Sequence, residues 1–265
     1  MLTVSELFIY PVKSLGGIPV DVAKVTERGF QHDRRWMLVD QQGMFFTQRD
    51  IPAMALFRVQ LQESGLKVFY KPDPSRYIDV PFEPVSAELM NVVVWDDTCF
   101  ALTVSDAADM WFSSILGINC RLVYMPDDSI RKVDPEYASG NEITGFSDGY
   151  PFLLIGQASL DDLNSRMVEA VPINRFRPNI VFSGGAPFQE DEMKEFSING
   201  IRFYGVKLCA RCVITTIDQE TALKGKDPLK TLASYRSMNK KVLFGQNLLH
   251  NGSGELRIGD ELILH

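Results

Sequence analysis

Two of the four cysteines of this 265-residue chain lie three positions apart in Lys207-Leu208-Cys209-Ala210-Arg211-Cys212. An arginine separates them, and Val213-Ile214-Thr215-Thr216 follows directly. A Cys-x-x-Cys pair can be a redox dithiol, half of a zinc site or part of an iron–sulfur ligand set. A dithiol of the thioredoxin kind uses a helix N-terminus to stabilise its thiolate, and the β-branched run after Cys212 resists helix. Zinc needs four Cys or His ligands, commonly in close pairs, whereas Cys99, Cys120, His32, His250 and His265 stand alone. An iron–sulfur cluster needs four compactly spaced cysteines, which the chain lacks. Two readings stay open: core cysteines of a strand pair, or a single thiolate offered to a soft transition metal.

Several fragments set basic residues among turn formers at strand ends: Pro11-Val12-Lys13-Ser14, Asp33-Arg34-Arg35-Trp36, Phe176-Arg177-Pro178-Asn179 and Ala210-Arg211-Cys212. Half-buried arginines need anionic or hydrogen-bonding partners. Either they pair internally, as Asp33 with a neighbouring arginine, or they share a pocket for an anionic cofactor gripped by guanidinium forks. No P-loop, no G-x-G-x-x-G fingerprint and no G-x-S-x-G elbow is present. The three histidines are poorly placed for a serine triad. Asp148, in Phe146-Ser147-Asp148-Gly149-Tyr150-Pro151, is a loop acid whose simplest role is an Asx-type turn.

Short strands with turn signals between them must position these groups. Candidates are Val4–Tyr10, Val20–Val25, Trp36–Val39, Met44–Thr47, Phe57–Gln62, Leu66–Tyr70, Asn91–Trp95, Cys99–Val104, Arg121–Met125 and Phe176–Ser183. Asp106–Leu116 reads as a helix ending at Gly117, and a second helix starts at Ser159 with Asp162 in a capping-box position. Asn199-Gly200 signals a hairpin, and Gly259-Asp260 signals another between Leu256–Ile258 and Glu261–Leu264. A polar, mobile loop from Pro126 to about Ser147 joins two β-rich halves. The expected fold class is mainly β (α+β), with two β-rich barrel-like domains and a few helices, at residues 1–125 and 126–265. Hydrophobic residues make up 45% and charged residues 23%, an ordinary globular balance. A net charge of -7 argues against nucleic-acid binding, and no secretory signal or membrane-length apolar run is visible. Dispersed cysteines fit a reducing compartment, so a cytoplasmic location is expected.

Together these fragments resemble the MOSC family of molybdenum-cofactor proteins with its preceding N-terminal β-barrel domain. The similarity is to the branch of the mitochondrial amidoxime-reducing components and the bacterial relatives that detoxify N-hydroxylated bases. Its carriers are Leu7-Phe8-Ile9-Tyr10-Pro11-Val12-Lys13-Ser14, Asp33-Arg34, Phe146 to Pro151, Phe176-Arg177-Pro178-Asn179, Arg211-Cys212 with Thr215-Thr216, and Phe244-Gly245-Gln246-Asn247. They cover nearly the whole chain, and their joint order is specific. The resemblance implies a molybdenum cofactor (Mo-molybdopterin) whose metal is ligated by Cys212, with Arg211 as its electrostatic partner and Cys209 a structural neighbour. It implies cofactor contacts at Lys13, Ser14, Arg34, Arg177, Asn179 and Arg211. Ala210, Gly149, Tyr150 and Asn247 stand at family positions where relatives often have serine, Thr-Ser and tyrosine, so Gly149 and Tyr150 carry over backbone contacts only. Asp148 is a candidate proton relay.

The implied activity is reduction of hydroxylamines, amidoximes or N-hydroxylated bases to amines. Sulfur transfer through a Cys212 persulfide and a non-catalytic cofactor carrier are the alternatives. Bacterial relatives often continue into a ferredoxin-like domain, whereas this chain ends at Ile263-Leu264-His265. The expected partners are therefore a separate electron-donor protein, ferredoxin-like or a flavoprotein reductase, and a small N-hydroxylated substrate.

Overall fold

Period-two alternation builds the central barrel. In the strand Leu2–Ile9, Leu7 and Ile9 join a buried cluster with Leu154, Ile180, Phe182, Phe196 and Phe203. Phe8 and the following Tyr10 join a different one with Leu153, Ile155, Phe176, Val181 and Phe244. Both faces of these strands are covered, so Phe152–Gly156 is buried at every position. The structure, a computed structural model, describes residues 1–138 and 140–265. Leu2–Ile9, Ile180–Ser183, Phe152–Gly156, Lys241–Asn251, Ile201–Ala210, Glu195–Ile198 and Glu261–Leu264 pair in that order, and the last pairs back to the first. The ring is antiparallel except where Ile180–Ser183 meets Phe152–Gly156. Closure removes exposed sheet edges. The helices Gln157–Ser165 and Leu229–Tyr235 cover the outside through Leu160, Leu163 and Leu232.

A second core lies among a four-stranded sheet, a three-stranded sheet and one helix. The four strands run in the order Trp36–Val39, Arg121–Tyr124, Asp97–Thr103 and Leu89–Val94; the three are Phe57–Gln62, Gly65–Tyr70 and Asp73–Pro81. The helix Asp106–Leu116 has the expected bounds. Ser105 Oγ accepts from Ala108 N–H at 3.2 Å, and Gly117 ends it in the left-handed region. Its Ala108 and Phe112 pack with Trp36, Leu38 and Phe57. The β-rich fold class holds. Among the described residues, no helix is long and apolar enough to cross a membrane.

Several local expectations change. Met44–Thr47 forms only the isolated bridges Met44↔Val93 and Val39↔Phe45. The second helix begins after Gly156, because Ser159 Oγ is engaged with buried Glu190 and makes no cap. Left-handed Arg177 and then Pro178 hold the next strand back to Ile180–Ser183. Asn199-Gly200 turns with φ +45° and +76°, as a type I′ hairpin requires. The C-terminal hairpin is absent: Gly254–Arg257 pairs with Val22–Thr26, while Glu261–Leu264 closes the barrel. Ser139 of the expected mobile loop lies outside the described residues; toward the end of that loop, buried Arg131 donates to Gly145 O, Ser147 O and Asp97.

In space, the two β-rich units interleave across the expected boundary at residue 125. The barrel uses Leu2–Ile9 from the N-terminal side, and the C-terminal Gly254–Arg257 returns to pair with Val22–Thr26. Residues 126–265 expressed alone should lose a barrel strand and expose two edges. The expected outcome is a non-cooperative thermal melt or aggregation. A sharp two-state melt of that fragment would contradict this topology.

Candidate functional site

Where the first strand ends, Asp33 organises the backbone around it. Its carboxylate is 3% exposed, accepts from Tyr10 N–H at 2.7 Å and pairs with Arg34 Nη1 at 2.7 Å. Arg34 Nη1 also donates to Asn179 Oδ1 at 3.0 Å and Nη2 to Arg177 O at 3.2 Å. The Asn179 amide binds the barrel in turn, accepting from Leu153 N–H and donating to Phe8 O, both at 3.3 Å. Arg34 and Arg177 both stack on the Tyr10 ring, 4.3 and 4.4 Å from its centroid. Burial pushes the Tyr10 hydroxyl up to about 12 and lowers the Arg177 guanidinium to about 10, with Arg34 adding to the second effect. Ser14, Arg34 and Arg177 all have positive φ, at 66°, 48° and 57°. Left-handed non-glycine residues can cost of order 1–3 kcal/mol each and cluster at functional sites.

These residues open onto a cleft of about 240 Å³. The structure places there each residue that the resemblance tied to the cofactor or the chemistry: Lys13, Ser14, Arg34, Asp148, Gly149, Tyr150, Arg177, Asn179, Ala210, Arg211, Cys212 and Asn247. It adds Thr47, Arg49 and Lys207. Lys207 opens the cysteine motif itself and could have been counted. Arg49 sits in an ordinary polar turn with no sequence signal. Six cationic side chains, Lys13, Arg34, Arg49, Arg177, Lys207 and Arg211, thus face one lining carboxylate, Asp148. Such a concentration in an acidic chain focuses a positive potential on a small volume.

The cysteines are asymmetric. Cys212 is exposed in the cleft and Cys209 is half-buried. Arg211 does not pair with Cys212: its Nη1 donates to Cys209 Sγ at 2.9 Å and its Nη2 to Phe176 O at 2.6 Å. Cys209 therefore holds the guanidinium in place. The run after Cys212 is a single 3₁₀ turn, Val213–Thr216, because Thr215 and Thr216 hydroxyls bond back to the carbonyls of Cys212 and Val213.

Among the described residues no group of three or more His, Cys, Asp or Glu could hold a metal. A metal in this cleft would take one protein thiolate and its remaining donors from an organic ligand or solvent. Buried Arg211 Nε has no partner among the described residues, leaving a donor for an anionic ligand. The residues present fit an anionic, metal-bearing cofactor.

Lys13 is 4% exposed; its ammonium donates to Phe146 O and Asp148 Oδ1, both at 2.7 Å. Burial lowers its pKa to about 8 against the pull of Asp148. Desolvation opposes ionisation of Asp148, but the Lys13 charge and hydrogen bonds from Lys13 and Trp95 hold its carboxyl well below the usual range.

A family model described as the MOSC N-terminal beta barrel domain matches residues 1–119, and one described as the MOSC domain matches residues 141–263. The chain is 31% identical over 280 residues to mitochondrial amidoxime-reducing component 1 of Mus musculus, covering 99% of this chain and 82% of that protein. It is 32% identical over 284 residues to the Homo sapiens protein of the same name, again covering 99% and 82%. It is 31% identical over 259 residues to a molybdenum cofactor sulfurase of Oryza sativa subsp. japonica, covering 91% of this chain and 31% of that protein.

Two outcomes follow from the site's charges. Asp33→Ala leaves the Arg34 guanidinium without its buried partner and should lower stability by about 3–5 kcal/mol in denaturant titration; a loss under about 1 kcal/mol would remove Asp33 from this role. Lys13 has a depressed pKa, so its charge opposes folding below about pH 8 and that cost is relieved as pH rises from there toward 10.5. A bound anion favours the ammonium. Calorimetry with sulfate, whose charge is constant over this range, should therefore show weaker binding at pH 9.5 than at pH 7, and Lys13→Met should flatten that difference.

Proposed function

The chain belongs to the MOSC family, and from that premise we propose that it is a molybdenum-cofactor-dependent oxidoreductase reducing N-hydroxylated compounds to amines. One observation carries the reading: an exposed thiol, Cys212, in a cleft lined by six cationic side chains, with no further metal ligands grouped among the described residues. A soft, anionic thiolate suits a redox-active transition metal, and guanidinium and ammonium groups suit a phosphate-bearing pterin. The names of its relatives point to the same chemistry.

When bound, the cofactor supplies two-electron chemistry that exchanges an oxygen atom with the substrate. The chain's own residues bind, orient and protonate. Arg34, Arg177, Arg211 and Lys207 neutralise the ligand's charge, and the Asp33–Asn179 network fixes the first two before the ligand arrives. Tyr10, with Arg34 and Arg177 both packed against its ring, keeps both forks from folding away. Of the Lys13–Asp148 pair, the carboxylate stays ionised at neutral pH, so the group able to release a proton near pH 8 is Lys13 Nζ. Asp148 then acts by holding that ammonium at 2.7 Å, a narrower role than a relay. Electrons come from a separate ferredoxin-like protein or flavoprotein reductase.

Cys212→Ala should reduce molybdenum content by about tenfold or more and abolish reduction of benzamidoxime. Being exposed, the position should tolerate the change within about 0.5 kcal/mol of stability. Full metal content with full activity in that variant rejects the assignment. A stoichiometric sulfur adduct on Cys212, with no molybdenum and no turnover, would select sulfur transfer instead.

A further inference from the structure

The strands Phe57–Gln62 and Gly65–Tyr70 present two different faces. Phe57, Val59, Leu66 and Val68 turn into the second core. The alternation that buries them sets Arg58, Gln60 and Phe69 on the other face, with Arg58 directly opposite Phe69 in register. This outer face is one wall of a cavity of about 660 Å³. Phe8 and Tyr10, at the end of the first barrel strand and just beyond it, line the cavity from the barrel side together with Asn174 and Arg177.

The cavity shares only Arg177 with the cationic cleft. It opens to solvent, since Arg58, Pro19 and Pro74 are exposed and Phe69, Lys71 and Arg177 are half-buried. Among the described residues its one lining carboxylate is Glu220, which lies 2.8 Å from Lys71 Nζ, so these two charges cancel. Arg58 and Arg177 form no ion pair among the described residues. Two guanidiniums thus stand without a counter-charge in a chain that is acidic as a whole. A carboxylate matches the guanidinium fork with its two oxygens. Phe8, Phe69, Pro19 and Pro74 supply apolar wall that suits a flat ring. The volume is ordinary for a small-molecule site, and such sites favour the seams between folded units.

We propose that this cavity is a second ligand site, distinct from the cationic cleft, and that it takes a planar aromatic carboxylate. The ring lies against Phe69, and the carboxylate is held by Arg58 with Arg177. The site stands or falls independently of the reductase reading, because neither Arg58 nor Phe69 lines the cleft.

Calorimetry on the full chain with cinnamate, its uncharged amide cinnamamide, and acetate tests this. Cinnamate should bind at a single site with Kd below about 0.1 mM, and the other two at least about tenfold more weakly. Arg58→Met keeps the apolar stem and removes the charge. It should weaken cinnamate about tenfold and leave cinnamamide unchanged. Because Arg58 is exposed, that variant should fold as the wild type does. Phe69→Ala should weaken cinnamate and cinnamamide alike, by about fivefold. Arg211→Met, which alters the cleft and not this cavity, should leave cinnamate binding unchanged. No saturable cinnamate binding up to about 1 mM overturns the proposal. So does cinnamamide binding as tightly as cinnamate, or cinnamate binding indifferent to Phe69. A loss of cinnamate binding in Arg211→Met but not in Arg58→Met places the anion in the cleft and likewise overturns it.

Discussion

The buried Asp33–Arg34 pair is the constraint on which the site depends. Asp33 holds Tyr10 through its backbone and Arg34 through its side chain, and Arg34 reaches Asn179 and the carbonyl of Arg177. Asn179 is simultaneously bonded to Phe8 and Leu153 on neighbouring barrel strands. One ion pair thus ties a loop of the N-terminal segment to the rim of the barrel and sets the left-handed backbone at Arg34 and Arg177. Without it the two guanidiniums would lose both their anchor and their shared surface on Tyr10.

The cost of this arrangement is spread over several residues. Lys13 is buried as a cation, three cleft residues have positive φ, and Arg211 keeps a buried Nε without a partner among the described residues. Each departure is unfavourable for folding alone and becomes useful when an anion occupies the cleft. The surrounding structure is correspondingly firm. A closed barrel covered on both faces and a second core around Trp36, Phe57 and Phe112 leave the cleft walls little freedom to relax.

The interleaving of the two units serves the same end. Lys13, Ser14 and Arg34 come from the segment just after the first barrel strand, and Arg49 from beyond it, while Arg177, Arg211 and Cys212 come from the barrel's own connections. Because Leu2–Ile9 is itself a barrel strand, the N-terminal cations are positioned by the barrel rather than by docking of an independent domain.

The sequence by itself determined the β-rich class, the helix Asp106–Leu116, the Asn199-Gly200 hairpin and the roster of cleft residues. The first three rest on local signals, namely alternation, a Ser cap with a terminal glycine and a turn dipeptide, whereas the roster rests on the resemblance of ordered motifs to the MOSC family. The strand Phe152–Gly156 and the true partners of Gly254–Arg257 were not legible. A run buried on both faces loses its alternation, and pairing between residues more than 200 positions apart leaves no local trace. The same holds inside the site. The resemblance made Arg211 the electrostatic partner of Cys212, whereas the fold turns its guanidinium to Cys209 and Phe176. Arg49 lines the cleft, and Trp95 touches it through Arg49 and Asp148, only because the fold carries their turns to its rim; direction in space is settled by tertiary contacts, not by spacing along the chain.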